Sequence, residues 1–195
     1  MPRYRPPKPS DLVSVTWNVP VMGRVRVANA TKESAGNIDE QWAPRRSPED
    51  AHLAWKWFDM VPAMREAFIV YAEVAPIAIW SSKLGSPIEL SGERYYRLDY
   101  LEIDPARRGD GSTAALLFGL IAKRVAEHAA TGIVLSAFKI DGLVQAYARL
   151  GAEHGCPPGW NHPPELVPLI FRRPALDRLR ELIDALQENP SRALS

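Results

Sequence analysis

The chain has 195 residues, with 24 Lys and Arg against 23 Asp and Glu, so its formal net charge is +1. Without a basic excess there is no electrostatic argument for nucleic acid or for an acidic membrane surface, and we expect neither as a partner. The single cysteine excludes an intramolecular disulfide framework, no apolar run approaches a membrane span, and the N-terminus lacks the apolar core of a secretory signal. We therefore predict a soluble, cytoplasmic protein with one main domain.

The first stretch of the chain predicts a pair of strands and then a loop. Apolar and polar residues alternate over 12–18 and again over 24–28. Pro20 and Gly23 lie between these stretches, so two short strands or a hairpin are expected. Residues 29–46 are polar with no clear period and predict a loop.

A helix is predicted to begin at Ser47, because Ser47 can cap it, Pro48 suits the first helical position and Asp50 completes a capping box. Four apolar residues then recur at helical spacing: Ala51, Ala54, Trp55 and Phe58. Pro62 would end or kink this helix. Strand-like segments follow at 68–72 and 77–80, joined by a tight connection at Ala75-Pro76.

The second half of the chain alternates strands and helices. In chain order we predict a strand over 95–103, a helix after Gly111, a strand over 133–138, a helix over 141–150 that stops at Gly151, a strand over 166–171, and a helix from Pro174. The order between 95 and 150 favours a partly parallel sheet. Pro168 would place its strand at a sheet edge or a bulge.

The segment over 101–115 carries the chemistry. A strand is predicted to end near Asp104, and a short loop with two arginines and two glycines leads into a helix. The first amides of a helix have no partner within it and converge on an anion, which predicts a phosphate site. Gly109 and Gly111 would let the backbone approach closely, and Arg107 or Arg108 would add charge. The alternative is a tight turn with two solvated arginines.

The same glycines also fit a dinucleotide fingerprint, Gly109-x-Gly111-x-x-Ala114. We do not favour it, because four residues separate the glycines from the strand, and the next strand ends in Ala137-Phe138 where an acidic residue should bind a ribose. A nucleotide-binding oxidoreductase stays open as an alternative function.

Taken together, residues 68–152 resemble the GNAT superfamily of acyl-CoA-dependent N-acyltransferases. Arg108-Gly-Asp-Gly111-Ser-Thr113 matches the family's Arg/Gln-x-x-Gly-x-Gly/Ala signature, and Ile103-Asp-Pro105 matches the strand end before it. Tyr147-Ala-Arg-Leu-Gly151 matches a Tyr-to-Gly pattern at the end of the family's next helix. Thr113 and Ala152 depart from the family's usual small residue and phenylalanine.

The resemblance implies an α/β (α+β) fold with a mixed, mostly antiparallel central sheet flanked by helices. The sheet would splay between the strand over 95–104 and the strand over 132–138, and the cofactor would enter there. On this basis we predict three parts: a proline-rich extended arm over 1–10, a single GNAT-like acyltransferase domain over 11–173, and a C-terminal helix over 174–188 packed on the domain.

The resemblance also implies the activity: direct transfer of an acetyl group from acetyl-CoA to a primary amine in a ternary complex. The pyrophosphate would be bound by the amides of one loop, with Arg108 beside them: Gly109, Asp110, Gly111, Ser112 and Thr113. The main-chain N–H of Ile103 would polarise the thioester carbonyl.

Tyr147 is the candidate acid for the leaving thiolate, although it also lies on an apolar helical stripe and could be a core residue. Glu102 is the first candidate for the base and Asp99 the second, with Glu73 as a third. These two carboxylates of the 95–103 strand alternate to opposite faces, so at most one points into a given cleft. For each of the three, a salt bridge is the alternative role.

The remaining predictions concern ligands and partners. His154, Cys156 and His162 match no strong metal-binding spacing, so we predict no metal. The acceptor is expected to be a small-molecule or peptide amine, a peptide N-terminus, a lysine or an aminoacyl-tRNA, the last being disfavoured by the balanced charge. A homodimer stays open, and so does a non-catalytic acyl-CoA-binding module that keeps the fold without the chemistry.

Overall fold

A computed structural model describes residues 9–47, 56–83, 87–109 and 111–188. Most of the predicted N-terminal arm and the predicted helix start at Pro48 and Asp50 lie outside the described residues. No helix within those ranges is long and apolar enough to cross a membrane.

Strands and helices alternate along the described ranges. The strands are β1 (Thr16–Val19), β2 (Gly23–Asn29), β3 (Glu66–Ala72), β4 (Ala75–Ser82), β5 (Pro87–Leu90), β6 (Glu93–Leu98), β7 (Tyr100–Ile103), β8 (Gly132–Ala137), β9 (Ala152–His154) and β10 (Val167–Arg172). The helices are α1 (Lys32–Trp42), α2 (Trp57–Met60), α3 (Ser112–Glu127), α4 (Asp141–Arg149) and α5 (Arg173–Glu188).

The strands form two five-stranded sheets, and the successive strands β6 and β7 belong to different sheets. One sheet has the order β1-β2-β3-β4-β7 and the other β5-β6-β8-β10-β9. Every pairing is antiparallel except that of β6 with β8. The predicted mixed, mostly antiparallel architecture is confirmed. A doubly wound parallel sheet is absent from the described ranges. The dinucleotide-binding alternative requires that fold, so the observed architecture does not support it.

The two sheets separate at Asp99, the one residue between β6 and β7. Before it, Leu98 pairs with Leu135 of β8; after it, Tyr100 pairs with Ser81 of β4. The strand predicted over 95–103 is therefore two strands that belong to different sheets. The predicted splay between this segment and β8 is confirmed.

Helix α1 corrects the loop predicted over 29–46. Thr31 caps it, with its side chain accepting from the Ser34 N–H while the Ser34 hydroxyl accepts from the Thr31 N–H. Ala35, Ile38 and Trp42 are buried on one face. Their spacing of three and four residues is helical. The polar residues between them conceal this pattern.

Two further predictions need correction. The first period-two stretch is a 3-10 turn, Asp11–Ser14, followed by β1, and only the second half of the stretch is a strand. The strand containing Pro168 lies inside its sheet, between β8 and β9. β9 pairs with β10 only as far as Leu169. The backbone nitrogen of Pro168 faces the end of β9, where no paired strand residue needs an N–H donor, so proline is tolerated there.

The main core lies between the sheets and the helices α3, α4 and α5. α3 contributes most of one face, with Leu117, Phe118 and Ile121 fully buried. α5 packs so closely on α3 that a Cβ at Gly119 would lie 2.8 Å from the Leu179 carbonyl oxygen. A smaller core on the other side of the first sheet contains Trp42 and Trp57.

A buried ionic network joins β3 to α3. The Glu66 carboxylate accepts from the Arg124 guanidinium at 2.6 Å and from the Tyr96 hydroxyl, and the His128 ring lies 3.4 Å away. Burial alone would raise the pKa of Glu66, but the hydrogen bonds from His128, Arg124 and Tyr96 and the Arg124 charge lower it to about 2.

A carboxylate with a lowered pKa stabilises the fold only while it is ionised. We expect Glu66 to contribute about 3 kcal/mol at neutral pH, retained above the ordinary pKa and lost as the pH falls from about 4.5 towards 2. Urea unfolding of the protein and of Glu66→Gln over this range checks this. The difference between them should shrink steadily on acidification; a difference independent of pH would contradict the assignment.

Candidate active site

A notch opens where β7 and β8 diverge. Its walls are the β7 strand, the end of β8 from Leu135 to Phe138, and the α4 side chains Leu143 and Tyr147. It holds about 740 Å³ of space that no protein atom fills, part of it open to solvent.

The open edge of β7 presents main-chain polar groups to this notch. The Asp104 N–H donates to the Ile77 carbonyl of β4 at 3.0 Å. This bond shows which residues of β7 direct their N–H groups towards β4. Because successive residues of a strand direct their N–H groups to opposite edges, the Leu101 and Ile103 N–H groups point away from β4. The Ile103 carbonyl agrees with this direction, since it accepts from Arg108 Nε at 3.4 Å.

A tight loop connects β7 to α3. The Asp104 side chain starts it by accepting from the Ala106 N–H at 3.1 Å, and Arg45 lies 3.2 Å from the same carboxylate. A 3-10 turn, Pro105–Arg107, follows. Gly109 and Gly111 have φ values of +94° and +74°, in the left-handed region that favours glycine. A Cβ on either would meet nothing within 4 Å, so the space beside the loop is open.

The N-terminus of α3 lies at the end of this loop. Gly111 is its N-cap and supplies no side-chain acceptor, and the first amide bonded within the helix is that of Ala115. The amides of Ser112 and Ala114 precede that bond and are not donors to the helix's own carbonyl groups. Thr113 is 1% exposed, so its side chain is buried. Asp110 lies outside the described residues.

Arg108 lines the notch, but its side chain folds back over the end of β7. Besides the Ile103 carbonyl, its guanidinium contacts Glu102 Oε1 at 3.5 Å. The guanidinium is therefore held at the mouth of the notch.

Glu102 is buried, and both of its carboxylate oxygens are engaged. Arg46 donates to them as a fork, with both contacts at 2.9 Å, and Trp57 Nε1 donates to Oε2 at 2.7 Å. With Arg108, four donors surround the carboxylate. Its side chain lies on the face that carries α1 and α2, and only 1% of it is exposed.

Asp99 is engaged in the same way at the break between the sheets. Its Oδ1 accepts from Arg97 Nε at 2.7 Å, and its Oδ2 accepts from the Lys83 N–H at 2.7 Å. These contacts attach the break to the end of β4. Glu73 lies away from the notch, in the β3–β4 turn, where it accepts from the Arg24 N–H at 2.7 Å.

Tyr147 projects from α4 into the notch. Its ring packs edge-to-face on Phe118, with centroids 5.6 Å apart, and its hydroxyl has no hydrogen-bond partner among the described residues. Burial raises the pKa of the hydroxyl to about 12, so it is protonated at neutral pH. The residue is thus packed on the core and also presents a donor to the notch.

The notch brings together five residues singled out from the sequence: Asp99, Glu102, Ile103, Arg108 and Tyr147. Sequence reasoning missed Arg45 and Arg46, which lie in and just after the 3-10 turn that follows α1, and Trp57, the first residue of α2. No local pattern connects them to Glu102 and Asp104. Within the described ranges, no group of three His, Cys, Asp or Glu side chains could share a metal ion.

The fold is shared with solved GNAT structures, although no family model and no curated protein matches the sequence. An acetyltransferase of the GNAT family from Listeria monocytogenes superposes with a TM-score of 0.56 and 14% identity, over 76% of this chain and 95% of that one. RimJ of Mycobacterium smegmatis, in complex with CoA-disulfide, gives 0.57 and 11%, over 86% and 93%. AtaTR bound with AcCoA gives 0.55 and 13%, over 80% and 97%. The chain therefore has the GNAT fold.

Proposed function

We propose that this protein is an acetyl-CoA-dependent N-acetyltransferase that acts on a primary amine. The observation that carries the proposal is the notch itself. The open edge of β7 leads to the glycine loop and to the start of α3, where the N-cap residue is Gly111. Solved structures with the same fold contain acetyl-CoA or a CoA derivative, which supports this choice of donor.

The loop and the helix start would bind the pyrophosphate. Amides between Gly109 and Thr113 would donate to it at the positive end of α3, and a Cβ at Gly109 or Gly111 would meet nothing within 4 Å. Arg108 would add charge at the mouth of the notch. The acyl arm would then lie along β7.

The thioester supplies the acetyl group: the amine nitrogen bonds to the carbonyl carbon, the carbon–sulfur bond breaks, and the nitrogen gives up a proton. The Ile103 N–H would donate to the carbonyl oxygen as negative charge develops there. Tyr147 would donate to the leaving sulfur. Because a hydroxyl with a pKa of about 12 is a weaker acid than a thiol, whose pKa is about 8.5, Tyr147 stabilises the thiolate by hydrogen bonding and solvent completes its protonation.

Neither Glu102 nor Asp99 is proposed as the base. Glu102 faces four donors, which occupy the acceptor sites of its carboxylate, and Asp99 has each oxygen engaged by one donor in a structural contact. We assign both to positioning: Glu102 supports β7 and Arg108, and Asp99 holds the two sheets apart. Solvent in the open notch would accept the amine proton.

Calorimetry with acetyl-CoA, followed by a turnover assay of thiol release with a panel of amines, tests the function. We expect binding, and turnover with at least one amine. Binding without turnover on any amine would favour the non-catalytic module. Absence of binding at millimolar acetyl-CoA would overturn the proposal.

Tyr147→Phe tests the role of the hydroxyl. Removing a hydrogen bond to a charged sulfur should lower kcat by about 10–100-fold, while acetyl-CoA binding and the melting temperature change little. Steady-state kinetics, calorimetry and thermal melting measure the three quantities. Unchanged turnover in the folded variant would make Tyr147 a packing residue only.

A further inference from the structure

Two polar side chains lie beside the notch on the face of the second sheet that points away from α3 and α5. Ser136, which lines the notch, is one of them, because its neighbours Leu135 and Ala137 in β8 point into the main core. Arg97 is the other, since the residues on either side of it in β6 are buried in the same core. Arg97 pairs in register with Val134, two residues before Ser136. Both side chains therefore lie on one face, near the point where the β6–β8 pairing ends.

Asp99 directs the Arg97 guanidinium towards the notch, which Asp99 itself lines. Its Oδ1 lies 2.7 Å from Arg97 Nε, and its Oδ2 accepts from the Lys83 N–H, so the carboxylate is held at both oxygens. Arg97 forms no other ion pair with the described residues, and its side chain is 35% exposed. The two terminal nitrogens of the guanidinium are thus available to a ligand, while Nε is held in place.

Ser136 adds a hydroxyl close to this guanidinium. It is half-buried and forms no hydrogen bond within the part of the chain that the structure describes. A hydroxyl can donate to an anionic oxygen, and a guanidinium can form two parallel charge-assisted hydrogen bonds with one. A held guanidinium and a hydroxyl on neighbouring strands are therefore suited to an oxygen anion.

The charged groups around the notch leave a positive surplus among the described residues. The carboxylates that line it are Asp99 and Glu102, and they are contacted by more guanidinium groups than there are carboxylates: Arg46, Arg97 and Arg108. An acceptor that carried only an ammonium group would meet this surplus unfavourably, whereas an additional anionic group would balance it. The same surplus favours the unprotonated amine, which is the form that attacks the thioester.

We propose that the acceptor is an amine that also carries an oxygen anion such as a carboxylate, and that Arg97, with Ser136, binds this anion. The proposal rests on the proposed function and names the class of its acceptor. The Arg97 side chain reaches Asp99, and the thioester is assigned to Ile103 further along the same chain segment. Because a strand rises about 3.3 Å per residue, Asp99 and Ile103 are at most about 13 Å apart. The anion should therefore be several bonds from the amine nitrogen.

Matched pairs of acceptors test this: linear ω-amino acids of increasing chain length and the corresponding ω-amino amides. The members of each pair differ in the anionic charge, and thiol release at saturating acetyl-CoA gives kcat/KM for both. At the best-accepted length we expect the acid to be preferred at least about tenfold, the effect of one charge-assisted contact. Arg97→Gln should remove this preference by lowering kcat/KM for the acid alone, and Arg97→Lys should retain part of it.

Arg94→Gln is the matched control, because Arg94 is also an exposed arginine of β6 but lies at the other end of the strand. It should keep the full preference, and thermal melting should show all variants folded. Equal kcat/KM for acid and amide in the unaltered protein, or turnover confined to amines without an anion, would overturn the inference. A preference that survives in Arg97→Gln, or an equal loss for acid and amide, would do the same. Absence of turnover with every amine would instead overturn the proposed function.

Discussion

Replacing Glu102 by alanine is expected to lower the free energy of unfolding by about 3–5 kcal/mol. The substitution removes the carboxylate but leaves the Arg46 guanidinium, whose side chain is 12% exposed, as an unpaired buried charge. The Trp57 N–H also loses its acceptor. Urea unfolding monitored by tryptophan fluorescence measures the change.

Glu153→Ala is the control for this experiment. Glu153 also pairs with an arginine at 2.9 Å, but both side chains are more than half exposed. Such a surface pair contributes about 0–1 kcal/mol, so its loss should barely change the unfolding midpoint. Equal effects of the two substitutions would contradict the importance of burial at Glu102.

The conservative change Glu102→Gln separates positioning from proton transfer. A base at this position would give a pH–rate profile whose acidic limb disappears in the glutamine variant. If Glu102 only positions β7 and Arg108, the substitution keeps the shape of the pH–rate profile. It changes the rate by a similar factor at every pH, because β7 and Arg108 shift slightly. We expect the second result.

The segment from Ile103 to Thr113 could be predicted well, because its structure follows from local rules. A strand end, a proline turn, two glycines and an apolar helix are all encoded within a few residues. Gly109 and Gly111 do adopt the left-handed backbone that glycine alone enters at little cost. The partial burial of Tyr147 likewise follows from the apolar stripe of its helix.

The environment of Glu102 could not be predicted, because its partners are distant in the sequence. Arg46 is 56 residues away and Trp57 is 45 residues away. Only the packing of α1 and α2 over β7 brings them to the carboxylate, and the loop predicted over 29–46 hid the first of these helices. Period-two alternation indicates that Glu102 and Asp99 point to opposite faces of the strand. It carries no information about which side chains cover either face.

The break at Asp99 was concealed for a related reason. The residues from 95 to 103 have a continuous strand-like composition, since both halves are paired and largely buried. What separates them is that β8 pairs with β6 only as far as Leu98, while β4 takes up the pairing at Tyr100. Pairing partners are a property of the sheet, so the sequence of one strand does not record the change.

Replacing Gly111 by valine is expected to raise the Kd for acetyl-CoA by about 10–100-fold, the loss of one or two amide–phosphate hydrogen bonds. The backbone at Gly111 has a φ of +74°, which a β-branched residue strongly disfavours, and the added side chain would project into open space beside the loop. Both effects act on the loop that presents the amides. Calorimetry of the folded variant measures the change.

Gly92→Val is the matched control for this prediction. Gly92 has a φ of +82°, a Cβ there would also meet nothing within 4 Å, and it lies in the turn between β5 and β6. The two substitutions therefore impose similar backbone strain, and both should lower the melting temperature. Only the change at Gly111 should weaken acetyl-CoA. A folded Gly111→Val protein with an unaltered Kd would show that the coenzyme phosphates lie elsewhere, and the assignment of the α3 N-terminus would be lost with it.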